Sequence, residues 1–316
     1  MYDLIILGAG PAGLSAAVYA IRKRLDFLVI SQDLGGRTNT LVTLPEVEDY
    51  TIIKAREQVG VYRSRLHYRS ELLRTEKITK LQALGEPGAV KATVFQVNTR
   101  RSDGMEQRYE TRTVLIATGT KTVSLDVPGL KQFWGRGLGT NIQSYNHAFW
   151  EKDVFLYGDS TRVLWAALDL SDFAAGVHLA IPTDGSYDLD VLDQLREHEN
   201  IFLYEDAKLL EFQGNEFCRT VEIQTPQGIV SIHAAGFFLE FDPEPALDFI
   251  DPQLGLARDD DDRIVVDRFM ESSVSGLFAA GDVCTMGRYQ VLTALGQGAG
   301  AALSIYQWLR RPTIID

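Results

Sequence analysis

Cysteine is scarce in this chain of 316 residues. Its two cysteines, Cys218 and Cys284, are far apart in the sequence, and neither belongs to a CxxC motif. Two separated thiols are too few for a disulfide framework or for a metal cluster held by cysteine. The sequence therefore predicts neither of these, and we expect no metal centre.

Positive charge is also in short supply. The chain has 31 Lys and Arg against 43 Asp and Glu, a formal net charge of −12. This argues against nucleic acid, an anionic membrane or a strongly acidic protein as a partner. No apolar run approaches the ~18 residues of a membrane-spanning helix. Because the first strand begins at the N-terminus, we expect no signal peptide and a cytoplasmic location.

The chain opens with a strand, a glycine-rich turn and a helix. The apolar run 4–7 has no alternation, as in a buried parallel strand, and it ends at the turn 8–13. In the dinucleotide-binding fingerprint the first glycine makes a tight turn, the second admits a pyrophosphate and the third lets helix and strand pack. Gly8, Gly10 and Gly13 stand in these places. The alternative is an ordinary glycine-rich turn.

The opening pattern recurs in the middle of the chain. Residues 154–157 read as a strand that leads to Gly158-Asp159-Ser160-Thr161, a helix at 162–173 and a strand at 176–181. This repeat predicts a second Rossmann-like domain inserted near residue 120. Other strands are predicted at 26–31, 77–81, 93–98, 107–113, 114–119, 201–210, 220–224, 229–233, 236–240, 263–266 and 276–282, with helices at 57–70 and 292–309.

Three motifs in one order carry a family resemblance: GAGPAG at 8–13, LIATG at 115–119 and GLFAAGD at 276–282. Together with GGR at 35–37, EVED at 46–49 and YQVLTALGQGAGAA at 289–302, they make the chain resemble the low-molecular-weight thioredoxin reductases. The resemblance implies an FAD-containing oxidoreductase and a homodimer. It also implies an α/β fold of two Rossmann-like (FAD/NAD(P)-binding, three-layer ββα) domains, the second inserted in the first. The FAD-binding domain would take 1–120 and 243–316, and a degenerate NAD(P)-binding-like domain 121–242.

The same resemblance implies FAD contacts from several segments. A reduced flavin carries negative charge near N1, which the N-terminus of the last helix would oppose. The implied residues are Gly8, Gly10, Pro11, Ala12 and Gly13 for the pyrophosphate; Asp33 for the adenosine ribose and Ile78 for the adenine; Gly36, Arg37 and Asp49 for the ribityl–flavin region; Thr118 and Gly119 for the cofactor at the crossover; Gly281 and Asp282 for the ribitol; and Gln290 and Val291 for the flavin N1/O2 edge.

Three departures from the family concern its second domain. Where the family has a CxxC dithiol, residues 141–145 contain no thiol, so a disulfide relay at that place is impossible. Residues 157–162 replace GxGxxA, with Asp159 and Arg162 at two of the three small positions, and an aspartate there repels a pyrophosphate. No Arg or Lys follows the strand 176–181 to pair with a 2′-phosphate. NADPH use in the family's way is therefore not expected.

These losses also resemble the diflavin-linked disulfide oxidoreductases, which keep the fold and hold a second FAD. That resemblance implies a second FAD in place of NADPH, near Tyr145, His147 and Gly158. Aromatic side chains there would stack on a flavin ring. The alternative is that they pack the domain interface.

Cys284 is the candidate catalytic residue. It lies two residues after Asp282 and ahead of a helix N-terminus, which would lower the pKa of its thiol. The alternative is a buried cysteine that acts as a small apolar side chain. A Cys218–Cys284 disulfide would need Cα atoms within about 7 Å.

Three functions are compatible with the sequence. The first is an FAD oxidoreductase that exchanges electrons with a thiol, a disulfide or a protein carrier. The second is an NAD(P)H-dependent reductase of the ferredoxin or flavodoxin type, which needs no dithiol. The third is a non-enzymatic flavin-binding redox sensor. We favour the first because a full set of FAD motifs stands beside degraded nicotinamide motifs.

Overall fold

The computed structural model of this chain describes residues 1–39, 42–45, 55–84, 94–121 and 125–310. They form two compact units, one from the described residues of 1–39, 55–121 and 244–310, the other from those of 42–45 and 125–243. The sequence boundaries place 42–45 in the first domain, whereas Val42 and Leu44 pack in the core of the second unit. Asp49 and the EVED motif lie outside the described residues. No helix in the described ranges is both long and apolar enough to cross a membrane.

The first unit is built on a seven-stranded sheet. Its strands, numbered along the whole chain, are β1 (Tyr2–Leu7), β2 (Phe27–Ser31), β3 (Leu73–Thr75), β4 (Lys77–Leu84), β5 (Val94–Arg100), β6 (Glu106–Ile116) and β15 (Leu277–Ala279). The order β3-β2-β1-β6 is parallel, and β15 pairs with β6 in the same direction. From β6 the sheet continues through β5 to β4 in antiparallel pairs.

Both faces of β1 are buried, as its unbroken apolar run predicts. Leu4 and Ile6 belong to a core shared with α1 (Pro11–Lys23) and α6 (Val291–Leu309). Ile5 and Leu7 belong to the core on the opposite face. A further helix, α2 (Ala55–His67), packs beside α1.

The second unit combines a parallel sheet with a small antiparallel one. The parallel strands are β7 (Leu138–Gly139), β8 (Asp153–Tyr157), β9 (Gly176–Ala180), β10 (Ile201–Tyr204) and β14 (Gly236–Leu239), in the order β10-β9-β8-β14-β7. The antiparallel strands are β11 (Lys208–Gly214), β12 (Cys218–Thr225) and β13 (Gly228–His233). The helices are α3 (Leu130–Phe133), α4 (Thr161–Ser171) and α5 (Leu189–Leu195). The predicted α/β class with two Rossmann-like folds is confirmed.

The predicted continuous strand at 263–266 is wrong. Ile264 and Val266 make only isolated bridges, one of them between Ile264 and Cys284. Asp259 accepts hydrogen bonds from the main-chain N–H of Arg263 (2.8 Å) and from its side-chain Nε (2.9 Å). These two hydrogen bonds hold Arg263 in the acidic turn, so no strand begins at this residue.

Candidate functional site

The first unit has a crevice at the point where its strand order reverses. β1 lies between β2 and β6, all three parallel. Ligands of open α/β sheets bind beyond the carboxyl ends of the strands at such a point. The predicted turn follows β1 there, with Gly10 as the N-cap of α1 and Pro11 as its first residue. The free N–H groups of this helix end suit phosphate oxygens.

Each glycine of the turn has its own steric role. A Cβ on Gly8, whose φ is 101°, would lie 2.4 Å from the carbonyl oxygen of Ala117. A Cβ on Gly13 would lie 1.9 Å from the carbonyl oxygen of Gly8. At Gly10, by contrast, no atom of the described residues beyond its chain neighbours lies within 4 Å of such a Cβ. That space is what a diphosphate needs in order to approach the backbone.

The segment after β2 folds back onto the turn. Asp33 accepts a hydrogen bond from the N–H of Gly36 through Oδ1 (2.9 Å), and the N–H of Gly35 donates to the carbonyl oxygen of Ala9 (2.8 Å). A Cβ on Gly36 would lie 3.3 Å from the Cα of Gly10. The structure therefore brings the predicted pyrophosphate residues and Gly36 together.

Arg37 links three segments at the same crevice. Its Nη1 donates to the hydroxyl of Thr120 (2.9 Å) and lies 3.6 Å from Oδ2 of Asp282. Asp282 also accepts a hydrogen bond from the N–H of Tyr289 through Oδ1 (3.0 Å), which fixes the loop before α6. Thr120 was not among the predicted residues, although it follows two that were.

Apart from Asp49, the other residues predicted to contact the ribityl–flavin part of FAD also lie in the first unit. Thr118 donates its hydroxyl to a main-chain carbonyl (2.9 Å), and Gly119 and Gly281 have φ values of 66° and 85°. Gln290 is the N-cap of α6 and Val291 is its first residue. The second helix N-terminus of the unit is therefore formed by the residues that were predicted for the flavin edge.

Gly298, which was not among the predicted site residues, lets α6 approach the turn. A Cβ on Gly298 would lie 2.0 Å from the carbonyl oxygen of Ala12, and one on Gly281 would lie 3.2 Å from the Cβ of Ala12. Ala12 is thus packed against two segments from the C-terminal part of the chain. The only sequence signal for Gly298 was the run of small residues in 289–302.

A cavity of about 460 Å³ lies beside Asp33. Arg63, on α2, donates from Nη1 to Oδ1 of Asn39 at its rim (3.1 Å). An acid at this place in a Rossmann unit binds the adenosine ribose. Ile78 packs instead against the core on the opposite face of the sheet. The lining residues are Ser31, Asp33, Leu34, Asn39, Arg63, Leu73 and Thr75, of which only Asp33 was predicted.

The second unit repeats the turn, and strand pairing fixes how the two copies align. Leu7 pairs with Ile30, and Tyr157 pairs with Ala180 in the same way. The three small positions of the second turn are therefore held by Gly158, Ser160 and Val163. The prediction that Asp159 and Arg162 hold two of these small positions is wrong.

The second turn keeps the first of these roles and loses the others. A Cβ on Gly158 would lie 2.1 Å from the carbonyl oxygen of Glu240. Gly158 therefore allows close approach of the chain that follows the neighbouring strand, as Gly8 does in the first turn. Ser160, the N-cap of α4, corresponds to Gly10. Its buried hydroxyl, which has no partner among the described residues, takes the place that is open beside Gly10. Val163 is fully buried in the core.

An ion pair between Arg162 and Glu240 lies at the crevice of the second unit, with the Arg162 side chain 22% exposed. β8 lies between β9 and β14, so the strand order reverses there too. Glu240 follows β14, and its side chain is 3% exposed. Its Oε2 lies 3.4 Å from Nε of Arg162, and its Oε1 accepts the N–H of Ile142 (2.7 Å). Burial raises the pKa of Glu240, whereas Arg162 and the N–H group act to lower it.

The surroundings of this crevice are acidic. Burial raises the pKa of Asp159, and the charges of Asp242 and Asp184 raise it further. Burial and the charges of Asp184 and Asp159 raise the pKa of Tyr157 to about 12. The hydroxyl of Tyr187 is within hydrogen-bond distance of the carbonyl oxygens of Gly158 (3.2 Å) and Pro182 (3.1 Å), to which its single hydrogen can be donated. A nucleotide diphosphate would meet negative charge here.

We expect Asp159→Asn to stabilise the protein at neutral pH. Because the folded-state pKa of Asp159 lies above its unfolded value of 3.8, its contribution is full below pH 3.8 and is lost as the pH rises through the folded pKa. The gain at pH 7 should be below about 1 kcal/mol, because solvent screens exposed charges. Denaturant titration at pH 7 and pH 3.5 measures it, with Asp206→Asn as the control. A gain of equal size at both pH values would contradict the explanation.

Tyr145 does not offer a free ring for a second flavin. It is buried in the core of the second unit, with its ring 5.6 Å from that of Phe238. The N–H of Val42 donates to its hydroxyl (3.4 Å), and burial raises the pKa of the phenol. His147 is exposed, and Gly158 serves the close packing described above.

The expected low pKa of Cys284 is wrong. The side chain is fully buried, Sγ donates to the carbonyl oxygen of Gly281 (3.3 Å), and burial raises the pKa of the thiol to about 11. Cys218 is also buried, and burial raises the pKa of its thiol to about 12. Neither forms a disulfide. Within the described ranges no group of three or more His, Cys, Asp or Glu could hold a metal ion.

Both thiols should therefore resist alkylation and disulfide exchange in the native protein. Only the thiolate is nucleophilic, and burial removes both charge and access. We expect Ellman's reagent at pH 8 to release less than about one tenth of an equivalent of thiolate in an hour. Denatured protein, the control, should release two equivalents for its two cysteines. Fast native reaction that Cys284→Ala abolishes would restore Cys284 as a redox candidate.

Two dinucleotide-type folds, one with an open phosphate crevice, define a nucleotide-dependent oxidoreductase architecture. The chain belongs to the pyridine nucleotide-disulphide oxidoreductase family, whose model matches residues 2–298. Alkyl hydroperoxide reductase F of Escherichia coli (strain K12) is 27% identical over 319 residues, which cover 98% of this chain and 58% of that protein. The protein of the same name from Staphylococcus aureus (strain NCTC 8325 / PS 47) is 27% identical over 315 residues, with 98% and 59% covered. The chain thus spans less than two thirds of the length of these relatives.

Solved structures agree with this assignment. Thioredoxin reductase from Streptococcus pyogenes MGAS5005 superposes with a TM-score of 0.83 at 27% identity, covering 98% of each chain. Thioredoxin reductase from Giardia duodenalis gives a TM-score of 0.82 at 22% identity, covering 98% of this chain and 99% of that one, which shows the fold alone. The chain therefore has the thioredoxin reductase fold and belongs to a family of oxidoreductases.

The family implies FAD, as predicted, and the first unit fits it. The space beside Gly10, the two helix N-termini and the cavity beside Asp33 lie in one unit and suit a diphosphate, a flavin edge and an adenosine. The comparisons do not support a second FAD.

Proposed function

We propose that this protein moves electrons between FAD and a thiol, a disulfide or a protein carrier, without a pyridine nucleotide as the direct donor. The observation that carries the proposal is the Arg162–Glu240 pair at the crevice of the second unit. The pair lies beyond the carboxyl ends of β8 and β14, where a pyridine nucleotide would bind, and Asp159, Asp184 and Asp242 make its surroundings acidic. The discontinuous first unit would be the FAD-binding domain, and the inserted unit a degenerate NAD(P)-binding domain.

Bound FAD would supply reversible two-electron chemistry, so a dithiol carrier would be oxidised to its disulfide as the flavin is reduced, or the reverse. The residues of this chain would hold the cofactor. The N–H groups at the start of α1 would bind the diphosphate, and those at the start of α6 would favour negative charge on the reduced flavin. Both cysteines are buried, which supports direct exchange between flavin and carrier over a relay through an enzyme thiol.

We also propose one FAD per chain, because Tyr145, the ring that a second flavin would stack on, is packed in the core. Flavin released by heat from purified protein, divided by the chain concentration, should approach one. A ratio near two would contradict this. The homodimer and the cytoplasmic location stay predictions, and sedimentation velocity tests the first.

Anaerobic reduction of the flavin tests the proposed function. Equimolar NADPH or NADH should leave the oxidised flavin absorbance unchanged over minutes, whereas dithionite, the control, should bleach it fully. Rapid bleaching by either nucleotide would contradict the proposal and favour the ferredoxin- or flavodoxin-type reductase. The family relatives are oxidoreductases, which favours an enzyme over a sensor.

A further inference from the structure

The net negative charge of the chain comes from one stretch. Residues 122–243, which include nearly all of the second unit, contain 19 Asp and Glu but only 7 Lys and Arg. The rest of the chain has 24 of each sign. The formal charge of −12 therefore belongs entirely to the inserted stretch, while the part that contains the FAD site is neutral. A charge this one-sided selects partners of the opposite sign and speeds their approach.

Large apolar side chains are exposed on the same unit. Trp165 on α4 is 51% exposed, and Phe173, which directly follows the C-cap of this helix, is 37% exposed. Trp150 is 61% exposed, and the N–H of the next residue, Glu151, donates to the carbonyl oxygen of Phe173 (3.1 Å). We call Trp150, Trp165, Asp169, Asp172 and Phe173 the α4 face.

The three exposed aromatic side chains do not belong to the hydrophobic core of the second unit. α4 contributes Val163, Leu164, Ala166, Ala167 and Leu170 to the core, all on its other side. Asp169 and Asp172 lie in the last turn and at the C-cap of α4, where the helix dipole makes acidic side chains unfavourable. A binding role accounts for both features, because exposed tryptophan is the side chain most enriched at interface hot spots.

We propose that the α4 face is a docking surface for a protein partner with a basic rim around an apolar centre. The aromatic side chains would enter the apolar centre, and Asp169 and Asp172 would pair with Lys or Arg on the rim. A second copy of this chain is a poorer occupant, because two α4 faces would bring these acids together. An anionic membrane or a nucleic acid would be repelled. The inference that this partner is an electron carrier rests on the proposed function. The inference that it is basic rests on the charge of the second unit alone.

The test is a binding titration of the FAD-loaded protein with cytochrome c, a small basic protein whose haem quenches tryptophan fluorescence. We expect saturable quenching at about 20 mM ionic strength that weakens as salt is raised. Trp165→Ala and the double variant Asp169→Asn/Asp172→Asn should each weaken binding about tenfold. The double variant should also melt at a higher temperature, since it removes acids from a helix C-terminus.

The matched control removes two charges from the same unit but away from α4. Asp206 and Glu216 are exposed in the turns on either side of β11, and Asp206→Asn/Glu216→Gln should weaken binding less than about twofold. Equal weakening by the two double variants would mean that only overall charge matters, and would overturn the proposal. So would an absence of binding to the wild type, or a dimer that Trp165→Ala converts to a monomer.

This binding experiment is independent of the flavin titration. Binding that fails while NADPH leaves the flavin oxidised would remove the docking surface alone. Binding that follows the prediction while NADPH bleaches the flavin would remove the proposed function alone.

Discussion

Replacing Arg162 by alanine is expected to lower the free energy of unfolding by about 3–5 kcal/mol, because it leaves an unpaired carboxylate in a buried site. Glu240 would keep its hydrogen bond from Ile142 but lose its only ion-pair partner among the described residues. Protonation of Glu240, whose pKa burial already raises, limits the loss at acid pH. Denaturant unfolding at pH 8, followed by circular dichroism, measures the effect.

Two variants control for this loss. Arg162→Met/Glu240→Gln removes both charges while keeping the volume, and should recover much of the stability. Arg196→Ala breaks an exposed pair with Glu205 in the same unit and should change little. A loss for Arg162→Ala no larger than that for Arg196→Ala would show that water reaches Glu240, and would contradict its burial.

Gly13→Ala is expected to abolish FAD binding by disrupting the turn itself. Its Cβ would lie 1.9 Å from the carbonyl oxygen of Gly8, a backbone atom that cannot move without breaking the first βα connection. We expect little folded protein and no bound flavin, measured by absorbance at the flavin band after purification.

Gly10→Ala separates cofactor binding from folding. Its Cβ meets no described residue, so the protein should fold, yet it would occupy the space of the diphosphate. FAD affinity should fall at least about tenfold, ~1.4 kcal/mol. Gly296→Ala is the matched control, since its Cβ also meets no described residue and lies inside α6, where alanine stabilises a helix by about 0.5–1 kcal/mol. Full FAD affinity in Gly10→Ala would contradict the assignment of the crevice.

The first turn could be predicted because its determinants are local. The apolar strand, the three glycines and the first turn of α1 stand in one short segment, and each residue type has one role there. The residues from distant segments, such as Arg37 and Asp282, could be predicted only because several motifs occur in a fixed order. Arg63 and Thr120 carry no such signal, and only the folded chain places them at the site.

The second turn could not be interpreted correctly from its letters. Gly158-Asp159-Ser160 admits more than one alignment with the first turn, and only the pairing of β8 with β9 decides between them. The Arg162–Glu240 pair joins residues far apart in the sequence, so no spacing predicts it. The burial of Cys284 likewise depends on its bridge to Ile264, which lies in a segment that the sequence predicted as a plain strand.

In the proposed function, the two dinucleotide-type units have diverged, one holding FAD and the other closed to pyridine nucleotides. Calorimetric titration of the oxidised, FAD-loaded protein with NADPH and then with NADH tests it most directly. We predict no saturable heat for either nucleotide, which corresponds to a Kd weaker than about 1 mM. Saturable binding of one nucleotide per chain with a micromolar Kd would contradict the claim.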